Sequence, residues 1–262
     1  MSYDLYFRSA PGKPEFSHTD FLGYFKNKAH YKLSKTQAWY NNENTGVYFS
    51  FDYEGKTSPD DEVDDELGPV IFNMNYARPH VFANEAAIEI KEFIETFGLG
   101  ILDTQIDGMN ETYSTPGFMQ GWNQGNMMGI AAFAGKGSQG APLTLPHADL
   151  ERYWRWNRLR DSLQKKVGDG VFVPRVSFCQ DQGQVKSFVV WTDGIPILIP
   201  KVDAVVLVRK NIPSFISRSV PSEPVISLVS YKQVEPFLDA KELATALDVP
   251  YKCSKPLVSC QP

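Results

Sequence analysis

Along the first hundred residues the spacing of apolar positions switches repeatedly between two and about 3.6, the mark of strands alternating with helices. Residues 3–7 alternate in strand fashion. Ser17 is placed to cap a short helix carrying Phe21, Leu22 and Phe25, with Asp20 three residues on to complete a capping box. Residues 38–53 read as a hairpin: Trp39 and Tyr40 lead into the polar turn Asn41-Asn42-Glu43-Asn44, and Val47, Phe49 and Phe51 alternate on the return. Residues 70–76 form the next strand, stopped by Arg78-Pro79, and feed the clearest helix in the chain. On it Phe82, Ala86, Ile90, Phe93, Ile94 and Phe97 share one face, while Glu85, Glu89, Glu92 and Glu95 occupy the rest. Gly98 suits the position that ends it, and residues 99–102 start another strand. The order β-α-β-β-β-α-β predicts an α+β fold, mainly antiparallel sheets with helices packed on one face.

The pattern then changes. Gly, Asn, Gln, Met, Thr and Pro dominate residues 104–145, apart from a small-residue run at 129–134. This stretch reads as a Gly/Asn-rich connection between an N-terminal subdomain, 1–103, and a C-terminal one, 146–262. The second begins with a helix from about 146 to 167, with Leu150, Trp154, Leu159 and Leu163 toward the core and Arg152, Arg155, Arg158 and Arg160 largely outward. Strands are expected at 171–178, 185–191 and 204–208, with turns at 180–183 and 193–194, and one more strand at 225–229. Helical signals at 234–238 and 240–247 close the chain.

Charge adds one feature. Six of the seven residues from position 60 to 66 are acidic: Asp60, Asp61, Glu62, Asp64, Asp65 and Glu66. The formal net charge is -5, so the rest of the chain carries +1 (-5 + 6). Nearly all the charge bias therefore sits in one stretch, placed between the strands that end near Tyr53 and start near Val70. Such a patch repels nucleic acid and steers a basic partner inward. It reads equally as a solvated loop, and its dense oxygen ligands admit Ca²⁺, although the spacing lacks the glycine and terminal Glu of an EF-hand.

The apolar fraction of 42% and charged fraction of 22% are those of an ordinary globular protein, so disorder is excluded as a class. Residues 1–7 carry no basic segment followed by an apolar one, no apolar run approaches a membrane span, and three cysteines are not a disulfide framework. These features predict a cytoplasmic protein in which Cys253 and Cys260, near enough in sequence to pair, stay reduced.

Catalytic patterns do not survive their context. Gly135-Lys136-Gly137-Ser138-Gln139-Gly140 spells a phosphate loop, but Pro142 and Pro146 follow where a helix should begin. Pro59-Asp60 with Glu89-Ile90-Lys91 spells a metal-nuclease arrangement, yet Glu89 and Lys91 fall within the amphipathic helix, where residues two apart diverge. His18, His30, His80 and His147 show no metal-ligand spacing, and Cys179, amid an apolar strand, reads as a small packed residue. The arginine-rich helix with Trp154 and Trp156 resembles a single-strand-binding surface, against which the pI near 5.4 argues. No catalytic residue, cofactor or metal is expected.

The chain resembles the bacterial immunity proteins of polymorphic-toxin and type VI secretion systems, and is similar in particular to those paired with nuclease toxins of the restriction-endonuclease fold. The resemblance rests on Met1-Ser2-Tyr3-Asp4-Leu5-Tyr6-Phe7, on the segment from Tyr76-Ala77-Arg78-Pro79 to Phe97-Gly98-Leu99, and on Trp191-Thr192-Asp193-Gly194-Ile195-Pro196. It implies a stoichiometric inhibitor, not an enzyme, that binds a cognate protein toxin. A nuclease exposes a basic surface to hold phosphates, so Asp60, Asp61, Glu62, Asp64, Asp65 and Glu66 become the expected partner-binding residues, with Tyr53 or Trp39 as aromatic anchors. The alternative from another class is an enzyme whose site lies in the Gly-rich middle region.

Overall fold

The computed structural model describes residues 1–56, 67–105, 109–136, 143–209, 224–239 and 251–254. It is an α+β protein that divides into two compact units, Met1–Pro142 and Leu143–Pro262. Among the described residues no helix is long and apolar enough to cross a membrane.

The first unit is built on seven antiparallel strands: β1 (Ser2–Ser9), β2 (Tyr31–Leu33), β3 (Gln37–Asn42), β4 (Val47–Tyr53), β5 (Val70–Asn75), β6 (Leu99–Leu102) and β7 (Asn110–Glu111). Their order across the sheet is β2-β3-β4-β5-β1-β6-β7. Helices α1 (His18–Phe25), α2 (Val81–Phe97) and α3 (Thr115–Lys136) meet the same sheet face. Phe25 of α1 lies 5.2 Å from Phe51, Phe93 of α2 lies 5.2 Å from Phe7, and Phe118 of α3 lies 5.5 Å from Tyr3. Ser17 and Asp20 close the expected capping box on α1, and Gly98 ends α2 at φ 63.

Two expectations about the first unit are corrected by the structure. Glu85, expected on the polar face of α2, is buried, with 1% of its surface exposed. Its Oε1 accepts from Tyr40 Oη (2.6 Å), Asn42 Nδ2 (2.7 Å) and Thr45 Oγ1 (3.2 Å), which ties α2 to the β3–β4 hairpin. A buried carboxylate needs such donors, because desolvation otherwise costs several kcal/mol. Burial, and after it the Glu85 carboxylate, hold the Tyr40 phenol far above its ordinary range, so it remains a donor.

The second correction concerns the stretch 104–145, which carries the 22-residue helix α3. Its glycines argue against a helix by propensity, at roughly 1 kcal/mol each relative to Ala. They recur at 117, 121, 125 and 129, a four-residue spacing that lines them along one side. Into that side fit other groups of the unit: Tyr3 against Gly121, and Tyr76 against Gly125 and Gly129. Close approach replaces what propensity loses.

The second unit opens with α4 (His147–Val167) and carries β8 (Ser177–Asp181), β9 (Gln184–Thr192), β10 (Leu198–Pro200), β11 (Ala204–Arg209), β12 (Val225–Ser230), the one-turn helix α5 (Tyr231–Val234), β13 (Leu238–Asp239) and β14 (Tyr251–Ser254). One sheet has the order β12-β11-β9-β8, with β9 and β11 parallel, and a second has the order β10-β14-β13. Helix α4 presents Tyr153, Trp156, Asn157 and Leu163 to the core in place of the expected Leu150 and Trp154. The reason lies in the next segment. Residues 171–176, expected as strand, form no ladder beyond one bridge at Phe172, because α4 side chains take up their backbone groups. Trp156 Nε1 donates to Pro174 O, Asn157 pairs with both N–H and C=O of Val176, and Arg160 Nε donates to Val173 O, all within 2.9 Å. Residues 234–238, expected as helix, end α5 and pass through a 3-10 turn at Glu235–Phe237 into β13.

The α3 packing makes a testable statement. A Cβ at Gly125 would stand 2.6 Å from Tyr76 Cε1. Gly125→Ala is therefore expected to destabilise the protein by about 1–3 kcal/mol through overpacking. In a Tyr76→Ala background the same change should be neutral or stabilising, since only the helix-propensity gain of about 1 kcal/mol remains. Equal destabilisation in both backgrounds, read from urea midpoints, would show that Tyr76 does not occupy this groove.

Candidate functional site

Alternation along the seven strands sends one set of side chains to the helices and the other to the opposite face. Tyr3, Leu5 and Phe7 point inward on β1, as do Ala38 and Tyr40 on β3 and Val47, Phe49, Phe51 and Tyr53 on β4. The register then assembles the outer face in rows. Trp39 stands opposite Ser50, Ser50 opposite Asn73, and Asn73 opposite Asp4. The next row runs Gln37, Asp52, Ile71, Tyr6 and Leu102. Asn41 faces Tyr48 in a further row.

The acids in these rows are pinned by neighbours. Asn73 Nδ2 donates to Asp4 Oδ1 at 2.5 Å. Asp52 accepts from Ser50 Oγ at 2.6 Å and from Gln37 Nε2 at 2.7 Å. Beside them Trp39 and Tyr48 stack with centroids 5.6 Å apart and an interplanar angle of 22°. Arg78, from the segment between β5 and α2, donates Nε to Tyr48 Oη at 2.7 Å, and Nη2 donates to the same oxygen. Its guanidinium carbon lies 5.4 Å from the Tyr48 ring centre, within cation–π range.

Arg78 is positioned from α3. Asn126 Oδ1 accepts from the Arg78 backbone N–H at 3.1 Å, and Asn126 Nδ2 donates to Arg78 O at 2.9 Å. Ala77, just before, adopts φ 60, a left-handed conformation that a non-glycine residue keeps only when its surroundings hold it. The outer-face group is thus three residues of types that dominate binding energy in protein interfaces, Trp, Tyr and Arg, on a β scaffold and locked by a helix.

Of the expected anchors, Trp39 is 37% exposed, whereas Tyr53 is buried against Phe21 and His18 on the inner face. The acidic residues Asp60, Asp61, Glu62, Asp64, Asp65 and Glu66 lie outside the described residues. The strand ends that flank them, Tyr53 of β4 and Val70 of β5, are paired neighbours. Glu89 and Lys91 lie on α2 and not on a strand, with Glu89 Oε2 accepting from Tyr31 Oη of β2 at 3.2 Å, and Gly137 to Gly140 and Cys260 fall outside the described residues. Arg152 pairs with Asp149 at 2.9 Å, Arg155 with Glu151 at 3.4 Å and Arg160 with Asp161 at 3.3 Å, so three arginines of α4 are engaged by acidic neighbours.

Two further groups merit a chemical test. Ser187 Oγ lies 2.7 Å from Asp203 Oδ2 and 2.8 Å from Tyr153 Oη, and Ser187 is wholly buried. Its bonds tie α4 to β9 and to the segment preceding β11. Beside α3 a cleft of about 830 Å³ is lined by Tyr76, Asp103, Gln105, Gln120, Gln124 and Met128, among others. Asp103 in its wall is committed to Tyr3 Oη at 2.5 Å and to the Gln105 N–H at 3.1 Å. Burial first, and the Asp103 charge after it, push the Tyr3 and Tyr76 phenols upward, so both stay protonated at neutral pH. The Gly-rich middle region accordingly packs against tyrosines on one side and borders an amide-lined cleft.

No family model, curated protein or solved structure matches this chain.

The clamp on Arg78 predicts a local effect. Asn126→Ala removes both bonds to the Arg78 backbone, each worth on the order of 1 kcal/mol net. Native-state hydrogen exchange at the Arg78 amide should accelerate by about tenfold or more, with the β4 amides unchanged. An unchanged Arg78 amide would mean the loop is held by other contacts.

Proposed function

We propose that this protein acts by stoichiometric binding to a basic protein partner, as an immunity protein that neutralises a nuclease toxin in the bacterial cytoplasm. The observation that carries the reading is the Trp39–Tyr48–Arg78 group on the outer sheet face. Interfaces concentrate their affinity in a few anchors of these types, set on a rigid base and ringed by polar residues that exclude water. The rows bearing Asp4 and Asp52 extend across the same face from Trp39 and add negative charge of the sign that a phosphate-binding surface attracts. The six carboxylates of residues 60–66 add long-range steering in the same sense.

Anchors and steering charges act on different rate constants, and this separates their roles. Against the toxin encoded by the neighbouring gene, Trp39→Ala or Arg78→Ala should weaken Kd by roughly 30-fold, about 2 kcal/mol, chiefly through faster dissociation. Binding at wild-type strength by both variants would remove the outer face from the interface. Converting Asp60, Asp61, Glu62, Asp64, Asp65 and Glu66 to amides should instead slow association by on the order of tenfold at low salt, and by less as ionic strength rises. Association rates that ignore both salt and these changes would place the acidic run elsewhere.

A further inference from the structure

The four-stranded sheet of the second unit ends at β12, whose sequence is Val225-Ile226-Ser227-Leu228-Val229-Ser230. Its inner edge pairs with β11, and among the described residues no strand pairs with its outer edge. An edge strand presents a row of unpaired N–H and C=O groups, and natural proteins usually blunt such an edge with Lys, Pro or a bulge. Residues 225–230 contain no charge and no proline.

Side chains add a second, independent mark. Val229 lies opposite Val205 on the core side, so Ile226 and Leu228 project to the other face. There Leu228 stands in register with Val206 and Val190, and Ile226 with Val208 and Thr192. Ile226 is 66% exposed, Leu228 62% and Val190 39%, an aliphatic strip that runs up to the outer edge of β12.

The sequence of the strand indicates what fits it. Read in either direction from Ser227, the strand gives a branched aliphatic residue and then Val: Ile226 and Val225 one way, Leu228 and Val229 the other. We infer that β12 joins a second copy of this chain, antiparallel, about a two-fold axis through Ser227, so that two four-stranded sheets become one of eight. In this register Val225 meets Val229 of the other copy, Ile226 meets Leu228, and Ser227 meets Ser227. Opposite residues of an antiparallel pair share a face, so core-side residues meet core-side residues and the two aliphatic strips merge. The interface is isologous and closes on itself, so it yields a dimer, not a filament. It is independent of the toxin-binding reading, since it involves no residue of the first unit.

The full chain is expected to sediment at twice its monomer mass at micromolar concentration. Ile226→Lys with Leu228→Lys, both at exposed positions, should raise the dimer dissociation constant on the order of 100-fold while leaving the thermal melt cooperative. Register is read separately. Two Ser227 Cα atoms across the axis would stand about 4.5–5.5 Å apart, inside the range for a disulfide. Ser227→Cys should therefore give, on mild oxidation, a peptide linking position 227 to 227 by mass spectrometry. Ser230→Cys should not link to itself, being offset from its copy by about 20 Å. A chain still monomeric at about 100 μM, roughly a hundredfold above a micromolar Kd, or equal cross-linking at 227 and 230, would overturn the inference.

Discussion

The first unit depends on one buried carboxylate. Glu85 brings its charge under the β3–β4 hairpin, and its Oε1 is satisfied by three donors that all come from that hairpin: Tyr40, Asn42 and Thr45. Bonds to a charged group contribute about 1.5–3 kcal/mol each, while desolvation of the carboxylate costs several, so the cluster adds little net stability. What it supplies is register. A slip of one residue in β3 would turn Tyr40 and Asn42 outward, leaving the charge buried and alone, and would carry Trp39 inward. Trp39 thus keeps its outward place through a carboxylate on the other side of the sheet.

A second constraint acts from α3. Its glycine side lets Tyr76 lie close against the helix, and Asn126, one residue on from Gly125, grips the Arg78 backbone. The same helix therefore sets the strained Ala77 turn and the direction in which Arg78 leaves it. Sheet register positions Trp39 and Tyr48, and helix packing positions Arg78; the group forms where the two meet.

Much of the first hundred residues was legible because their apolar period is clean: β1, α1 with its capping box, the hairpin, β5, α2 and β6 all follow from spacing. Glu85 was not legible, since nothing local separates it from Glu89, Glu92 and Glu95 on the same helix; its donors lie some forty positions away in the chain. The α3 helix was hidden by low propensity, although the recurrence of Gly at 117, 121, 125 and 129 was a usable signal: four-residue spacing is helical whatever the residue. In α4 the choice of Trp154 over Trp156 followed apolar spacing alone. The core side is marked instead by Asn157, Arg160 and Gln164, polar residues that serve the backbone of residues 171–176. Of the outer-face group only Trp39 was singled out as an anchor. Arg78 reads in sequence merely as a strand stop, because its meeting with Tyr48 needs the fold.

The sheets of the two units present outer faces of different chemistry, and that difference has consequences for use. On the first, the carboxylates of Asp4 and Asp52 already hold hydrogen bonds from Asn73, Ser50 and Gln37, and the aromatic area is limited to a few rings. Such a surface is stable in water and yet gains from burial, the balance suited to proteins that fold apart and meet later. On the second, Val190, Val206, Val208, Ile226 and Leu228 have no hydrogen-bonding capacity beyond their backbone. Water gains nothing from them, and the free energy of covering them rises with every aliphatic side chain that joins the patch, by roughly 25 cal/mol per Å² buried. A face of this kind gains most from a neighbour of the same shape and polarity, whereas the polar-aromatic face keeps its hydrogen bonds in water and gains less from being covered.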